Sequence, residues 1–461
     1  MSHWKKVCFA VVLFAAAIGS SAQTFTQLAT FTNNASQLSS LVQGTDGNLY
    51  GTSGGGGETG YGTVFQITPS GVLTTLHHFC GQANCTDGAT PATGLVLATD
   101  GNLYGTTDYG GAYNLGTIFR ITTSGKYAVV HSFNGSDGNY PYGSGLIEAT
   151  DGYLYGTAQP GIAVGGSVFR STLGGSVTTI YSFCQSGICA DGFDPQGIIE
   201  GSDGNLYGTT SRGGNYACYG GCGTVFKLTT AGVLTTLHSF DSKHGAEPFD
   251  PVVQTPNGSL FGTTFSGHSL YGGGYGTIFV TSTTGVFKEV YDFDFANAGP
   301  TSGLTLANDG NLYGGTYGLE GGGYIYELVQ HPQVSYQNVY TWYQCCGGGT
   351  VPFQATDGKF YGTYYVADGY GGAIYSLDTG LGPFVSFIVP GAKVGKTAQI
   401  LGQGLTGTTS VTFNGVAATK FSVVSDTYMT AVVPAGATTG AVVVTTPAGN
   451  LTSNVSFRIA H

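Results

Sequence analysis

The sequence predicts an all-β fold built on a sevenfold tandem repeat. Three observations carry this. A phrase of the form Asp-Gly-x-Leu-Tyr-Gly-Thr recurs at a spacing of about fifty residues. Gly makes up 80 of the 461 residues, and it costs a helix about 1 kcal/mol per residue relative to Ala. No segment keeps a 3.6-residue apolar period for long, yet 30 Tyr, 27 Phe and regular Val, Ile and Leu supply material for cores.

The phrase stands at Asp46–Thr52, Asp100–Thr106, Asp151–Thr157, Asp203–Thr209, Asn257–Thr263, Asp309–Gly315 and Asp357–Thr363. Each copy is followed by a Gly-Thr-Val-Phe-like phrase, from Gly62–Phe65 through Gly116–Phe119 to Gly372–Tyr375. A third segment ends in an aromatic residue, as in Leu73–Phe79 and Tyr127–Phe133 and, more loosely, Val334–Trp342. One unit therefore reads as four strands. A short apolar run such as Leu95–Leu97 (strand a) leads through an Asp-Gly turn into strand b, Leu103–Thr107. A Gly/Tyr-rich loop leads to strand c, and a Ser-Gly turn leads to strand d. Four antiparallel strands in about fifty residues, seven times over, is the arithmetic of a seven-bladed β-propeller. An open solenoid needs atypical capping repeats, and none is visible. Phe25–Phe31 matches strand d without its a, b or c, so it can complete the seventh blade; Leu381–Phe387 is the competing segment.

The direction of this meander separates two faces. The tight Asp-Gly and Ser-Gly turns share one. The long b–c and d–a loops share the other, with all eight cysteines that follow the leader, and that loop face is the expected working face.

The leader is His3, Lys5 and Lys6 before an apolar stretch, Val7–Ile18, too short to span a bilayer. Small residues at Ser20 and Ala22 place cleavage after Ala22. The expected organisation is a signal peptide at 1–22, the propeller at 23–383 and a second domain at 384–461. Without the leader, 12 basic residues face 25 acidic ones, which opposes binding to nucleic acid or to anionic membranes. No later stretch reads as a membrane span. Secretion or cell-surface location is the expectation.

The cysteines fall in close pairs: Cys80 with Cys85, Cys184 with Cys189, Cys218 with Cys222 and Cys345 with Cys346. Zinc would want C-x2-C-type halves, whereas these spacings in an exported chain read as small disulfide loops. A bridge between Cys345 and Cys346 would be vicinal and strained, so that pairing stays open.

The seven repeat phrases resemble the tandem GloVer repeat of secreted bacterial proteins, over residues 41–380. The resemblance implies an exported β-propeller and brings no catalytic residues with it. Residues 384–461 resemble an IPT/TIG domain, an immunoglobulin-like sandwich, through Val394-Gly395, Ala398–Leu401, Val411–Val416, Ala431–Pro434 and Val442–Thr445. Such domains imply a spacer or interaction module.

No catalytic, metal or cofactor motif stands out. Each turn aspartate (Asp46, Asp100, Asp151, Asp203, Asp309, Asp357) is alone beside Gly, unlike a calcium loop, and reads as structural. His77, His131 and His238 recur at one repeat position and read as blade packing. Asp87, Asp137 and Asp191, in an Asp-Gly-x-x-Pro pattern, could ring the pore mouth but read better as turn formers. The b–c tyrosines Tyr109, Tyr113, Tyr216, Tyr219, Tyr271, Tyr317 and Tyr365 are the candidate ligand-binding residues, because Tyr offers a flat face and a hydroxyl at low entropic cost. The expected function is non-enzymatic recognition of an extracellular glycan or surface protein. An extracellular polysaccharide hydrolase or lyase is the alternative, and a purely structural surface component the third reading. Carboxylates and tyrosines converging in a pocket would favour the enzyme; a flat aromatic face would favour binding.

Overall fold

In the computed structural model, the residues described are 23–31, 35–91, 93–143, 145–159, 165–215, 217–267, 274–294, 299–316, 323–330, 334–342, 349–365 and 371–460. The chain is all-β, with repeated four-stranded antiparallel sheets in an arrangement consistent with a β-propeller. Residues 1–22, the expected leader, lie outside the described residues.

The first sheet sets the pattern: Val42–Gln43, Leu49–Ser53, Thr63–Ile67 and Leu73–His78 follow one another as a meander. Five more meanders follow, starting at Val96–Leu97, Ile147–Glu148, Phe193–Glu200, Val253–Gln254 and Thr305–Leu306. The next sheet takes three consecutive strands, Phe353–Gln354, Phe360–Tyr365 and Gly372–Asp378. Its outer place is filled from the chain start, by Thr24–Thr30, with Thr24 opposite Asp378 and Thr30 opposite Ala373. The competing segment goes elsewhere, since Ser386–Phe387 joins a different sheet.

Apolar clusters bind each sheet to the next. Tyr104, Ile118 and Phe133 of the second sheet meet Leu146, Leu154 and Phe169 of the third. Tyr361 and Ile374 meet Leu49, Phe65 and Ile67 of the first sheet, so the sheets close into a ring. Two polar seams reinforce it. The repeat threonine reaches the incoming chain of the next sheet: Thr52 Oγ1 donates to the Thr93 carbonyl at 2.8 Å, Thr106 to Pro141 at 2.9 Å and Thr209 to Asp250 at 2.8 Å. Near the Asp-Gly turns, a Glu or Gln of the innermost strand accepts from its neighbour, as Glu148 does from Thr99 and Glu200 from Thr150. Gln43 and Thr356 repeat this contact across the seam.

After the ring, two four-stranded sheets enclose a separate core of Phe387, Ile400 and Met429 on one side and Val411, Phe413 and Val444 on the other. A short parallel pair, Gly391–Lys393 with Arg458–Ala460, completes this unit. It rests on the Asp-Gly turn face. Arg458 pairs with Glu200, Thr427 Oγ1 donates to the Thr45 carbonyl at 2.7 Å and Gln399 Nε2 to the Thr99 carbonyl at 3.0 Å. The opposite face, with the long loops, carries none of these contacts.

Candidate functional site

The repeat motifs are absorbed by structure. Each turn aspartate accepts from the tyrosine four residues on, as in Tyr104–Asp100 at 2.8 Å and Tyr155–Asp151 at 2.6 Å, while the tyrosine ring is buried. The fifth copy loses both partners together, Asn257 replacing Asp and Phe261 replacing Tyr. His77 stacks on Tyr127 of the next sheet with ring centres 3.7 Å apart, and His238 on Phe287 at 3.6 Å. His131 meets Asp137 at 2.8 Å. Asp87 accepts from the Gly81 and Gln82 amides, and Asp191 from the Cys184 amide and the Tyr181 hydroxyl. These d–a aspartates hold turns and do not converge at the pore.

Three disulfides form, Cys80–Cys85, Cys184–Cys189 and Cys218–Cys222. The fourth expected pairing is not among them, because Cys345 and Cys346 both lie outside the described residues. The first two bridges brace the following sheet's b–c loop: the Cys85 carbonyl accepts from Gly111 and the Cys189 carbonyl from Gly214. Tyr109, Tyr113 and Tyr219 are exposed on those b–c loops. The Tyr109 ring lies edge-on to Tyr140, with centres 5.4 Å apart. Tyr216, Tyr271 and Tyr317 lie outside the described residues. Tyr365 ends strand Phe360–Tyr365, and nothing is described of its side chain.

What the loop face encloses is a well at the centre of the ring, about 660 Å³, within the range of small-molecule sites (about 300–1,000 Å³). It begins where the d–a loops feed the innermost strands, so every sheet contributes to its wall. Tyr142 and Phe249, 41% and 44% exposed, flank it, and Leu41, Ile199, Val253 and Phe353 line it more deeply. Among the described residues its lining contains no Lys, Arg or His.

Around Tyr142 stand three carboxyls whose charges all act on its hydroxyl: Asp108, Asp194 and Asp250. Burial, the larger cause, and then these charges raise the Tyr142 hydroxyl above its usual range. Burial lifts Asp250 to about 7 against an opposing hydrogen bond from the Gly303 amide. It lifts Asp108 to about 7 as well, and one Asp108 oxygen has no partner among the described residues. Asp194 is also raised by burial, offset by the Ser211 hydroxyl, which donates to it at 2.9 Å, and by Arg212. Gln196, in the lining, hydrogen-bonds the Asp194 carbonyl at 3.0 Å and Ser211 at 3.2 Å.

In this wall Asp250 can act as donor or acceptor near neutral pH, beside two aromatic faces and with no cation among the described lining residues. Among the described residues no three His, Cys, Asp or Glu side chains converge to hold a metal.

The sequence reading passed over these residues. Asp194 sits inside the very Asp191…Pro195 pattern singled out above, and it is this second aspartate whose charge acts on Tyr142. Asp250 follows Pro248 where other copies have no acid. Asp108 directly follows the repeat's Thr-Thr. Asp108 and Asp250 break the repeat, and that departure was the available signal; Asp194 does not, since Glu247 stands at the same place before Pro248.

No curated protein matches the chain. Solved structures share its outline at low identity. A Bacteroides thetaiotaomicron protein of unknown function is 15% identical over 77% of this chain and 76% of its own, with a TM-score of 0.41. A gluconolactonase from Xanthomonas campestris is 12% identical over 78% and 92%, with a TM-score of 0.41. PQQ-bound aldose sugar dehydrogenase from Streptomyces coelicolor is 16% identical over 61% and 92%, with a TM-score of 0.37. These likenesses are too distant to carry an activity across. The Gloeobacter/Verrucomicrobia repeat matches residues 12–189 and 163–375, and the chain belongs to that repeat family.

Proposed function

We propose that this is an exported, glycan-recognising protein whose principal site is the central well. In this reading residues 23–383 form a seven-bladed propeller closed by the N-terminal strand, and residues 384–461 an immunoglobulin-like IPT/TIG domain that docks on the turn face. The three disulfides are compatible with export after cleavage at Ala22. No helix among the described residues is long and apolar enough to cross a membrane.

One observation carries the choice of ligand: Tyr142, Phe249 and the Asp250 carboxyl share a well whose lining, among the described residues, has no basic side chain. An anionic ligand would meet the Asp250 carboxyl with no basic side chain in the described lining. A neutral polyhydroxylated one finds flat apolar faces for its ring and polar groups for its hydroxyls. Tyr109, Tyr113 and Tyr219 would extend contact to the outer part of a bound glycan.

The test is a glycan-array screen of the chain from Gln23 onward, beside Asp250→Asn and Tyr142→Ala. Recognition in the well predicts that both variants lose the sugars the parent binds, while a Tyr109→Ala/Tyr113→Ala/Tyr219→Ala variant is only weakened. No glycan bound by the parent removes the reading.

A second reading has an observation of its own. Two carboxyls held near pH 7 beside a tyrosine suit general acid–base chemistry, as a polysaccharide hydrolase or lyase requires. Turnover of any sugar the array identifies, lost in both Asp108→Asn and Asp250→Asn, would move the assignment from binding to catalysis.

A further inference from the structure

We infer that the well is blind and takes the end of a saccharide chain, not an internal stretch. This rests on the glycan reading above and adds the mode of engagement.

The channel through the ring has two ends. The end at the Asp-Gly turns is covered by the C-terminal unit, which touches turn after turn around the circle. Thr427 bonds Thr45 of the first sheet, Gln399 bonds Thr99 of the second and Gly391 lies against Thr150 of the third. Arg458 pairs with Glu200 of the fourth. Val455 joins the cluster that holds Val253 and Leu306 of the fifth and sixth, and the Gly402 carbonyl accepts from Thr356 at 2.9 Å. Apolar clusters fill the space between neighbouring sheets. A ligand therefore reaches the deep wall only from the loop face.

The polar groups sit where an entering chain end would meet them. Besides Asp250 and Gln196, the lining includes Ser302, only 4% exposed, whose hydroxyl has no partner among the described residues. In the second sheet the equivalent Thr93 bonds the repeat threonine Thr106 at 2.9 Å. In the sixth sheet Gly315 replaces that threonine and leaves Ser302 unpaired. A threading polymer needs two openings, whereas a chain terminus, with its extra hydroxyls, needs one opening and polar groups inside it.

The experiment titrates the full chain from Gln23 against neutral linear oligosaccharides (cello-, malto-, xylo- and chito-oligomers) and the matching soluble polymers, reading stoichiometry by calorimetry and sedimentation. The expected result is no more than one protein per chain end at every polymer length, with affinity about equal per end and reduced tenfold or more in Asp250→Asn. Stoichiometry that grows with polymer length would overturn end-on binding. If such binding still requires Asp250, the glycan reading survives alone. If no oligomer or polymer binds, both readings fall.

Discussion

Gly105 shows at one residue why the repeat is spelled as it is. A Cβ there would lie 2.6 Å from Phe119 Cζ and 2.8 Å from Leu95 Cδ2, so the Gly of the first phrase makes room for the Phe of the second. Gly105→Ala should cost about 1–3 kcal/mol by overpacking, read in denaturant unfolding. The Gly of the second phrase works differently: Gly116, at φ 94°, faces the ring of Pro141 in the next loop. Asp250 gives a pH signature. Its carboxyl holds its proton to about 7 in the folded chain, while an unfolded Asp releases it near 3.9. Below pH 4 the group is neutral in both states and has no effect. As pH rises toward 7 the folded state loses stability relative to the unfolded one. Asp250→Asn should therefore match the parent at pH 4 and exceed it at pH 8. The gain should be on the order of 2 kcal/mol, about half the full conversion because the well admits water. These effects were unequally legible. The Asp-Gly turn was readable from local geometry, but its bond to the tyrosine four residues on needed the folded hairpin. Asp191 and Asp194 look alike in a sequence, and only the loop's path decides which one turns the chain and which faces Tyr142.

At the scale of elements, the strands were legible because repetition supplies seven readings of one pattern. The closing strand was legible too: Thr24–Thr30 copies strand d, and it pairs with Gly372–Asp378. Phe25 stacks on Tyr340 of the sixth sheet at 4.3 Å, the seam's version of His77 on Tyr127. Phe25→Ala should cost about 3 kcal/mol and show first as hydrogen exchange in Gly372–Asp378, which it would leave uncovered. The three short disulfide loops followed from cysteine spacing together with the expected export. Their bracing of the next sheet's b–c loop did not, because the Cys85 carbonyl and the Gly111 amide meet only through the ring.

Across the whole molecule, the repeated four-stranded sheets were readable, but not how the C-terminal unit meets them. Nothing in the sequence pairs Arg458 with Glu200, residues 258 positions apart. Glu200 already accepts from Thr150, and the guanidinium is largely buried against it. Arg458→Ala should cost about 3 kcal/mol by leaving that carboxylate half-satisfied, and calorimetry should then resolve the C-terminal unit melting apart from the ring. The well was equally hidden: its wall is assembled from seven separate loops, and no stretch of sequence carries it. The measurement that tests its role most directly is a crystal structure of the chain with a saccharide chosen from the array. Recognition in the well predicts density there, with the sugar face on Tyr142 or Phe249 and a sugar hydroxyl on Asp250. Density confined to the outer surface of Tyr109, Tyr113 and Tyr219, with the well vacant, would contradict it.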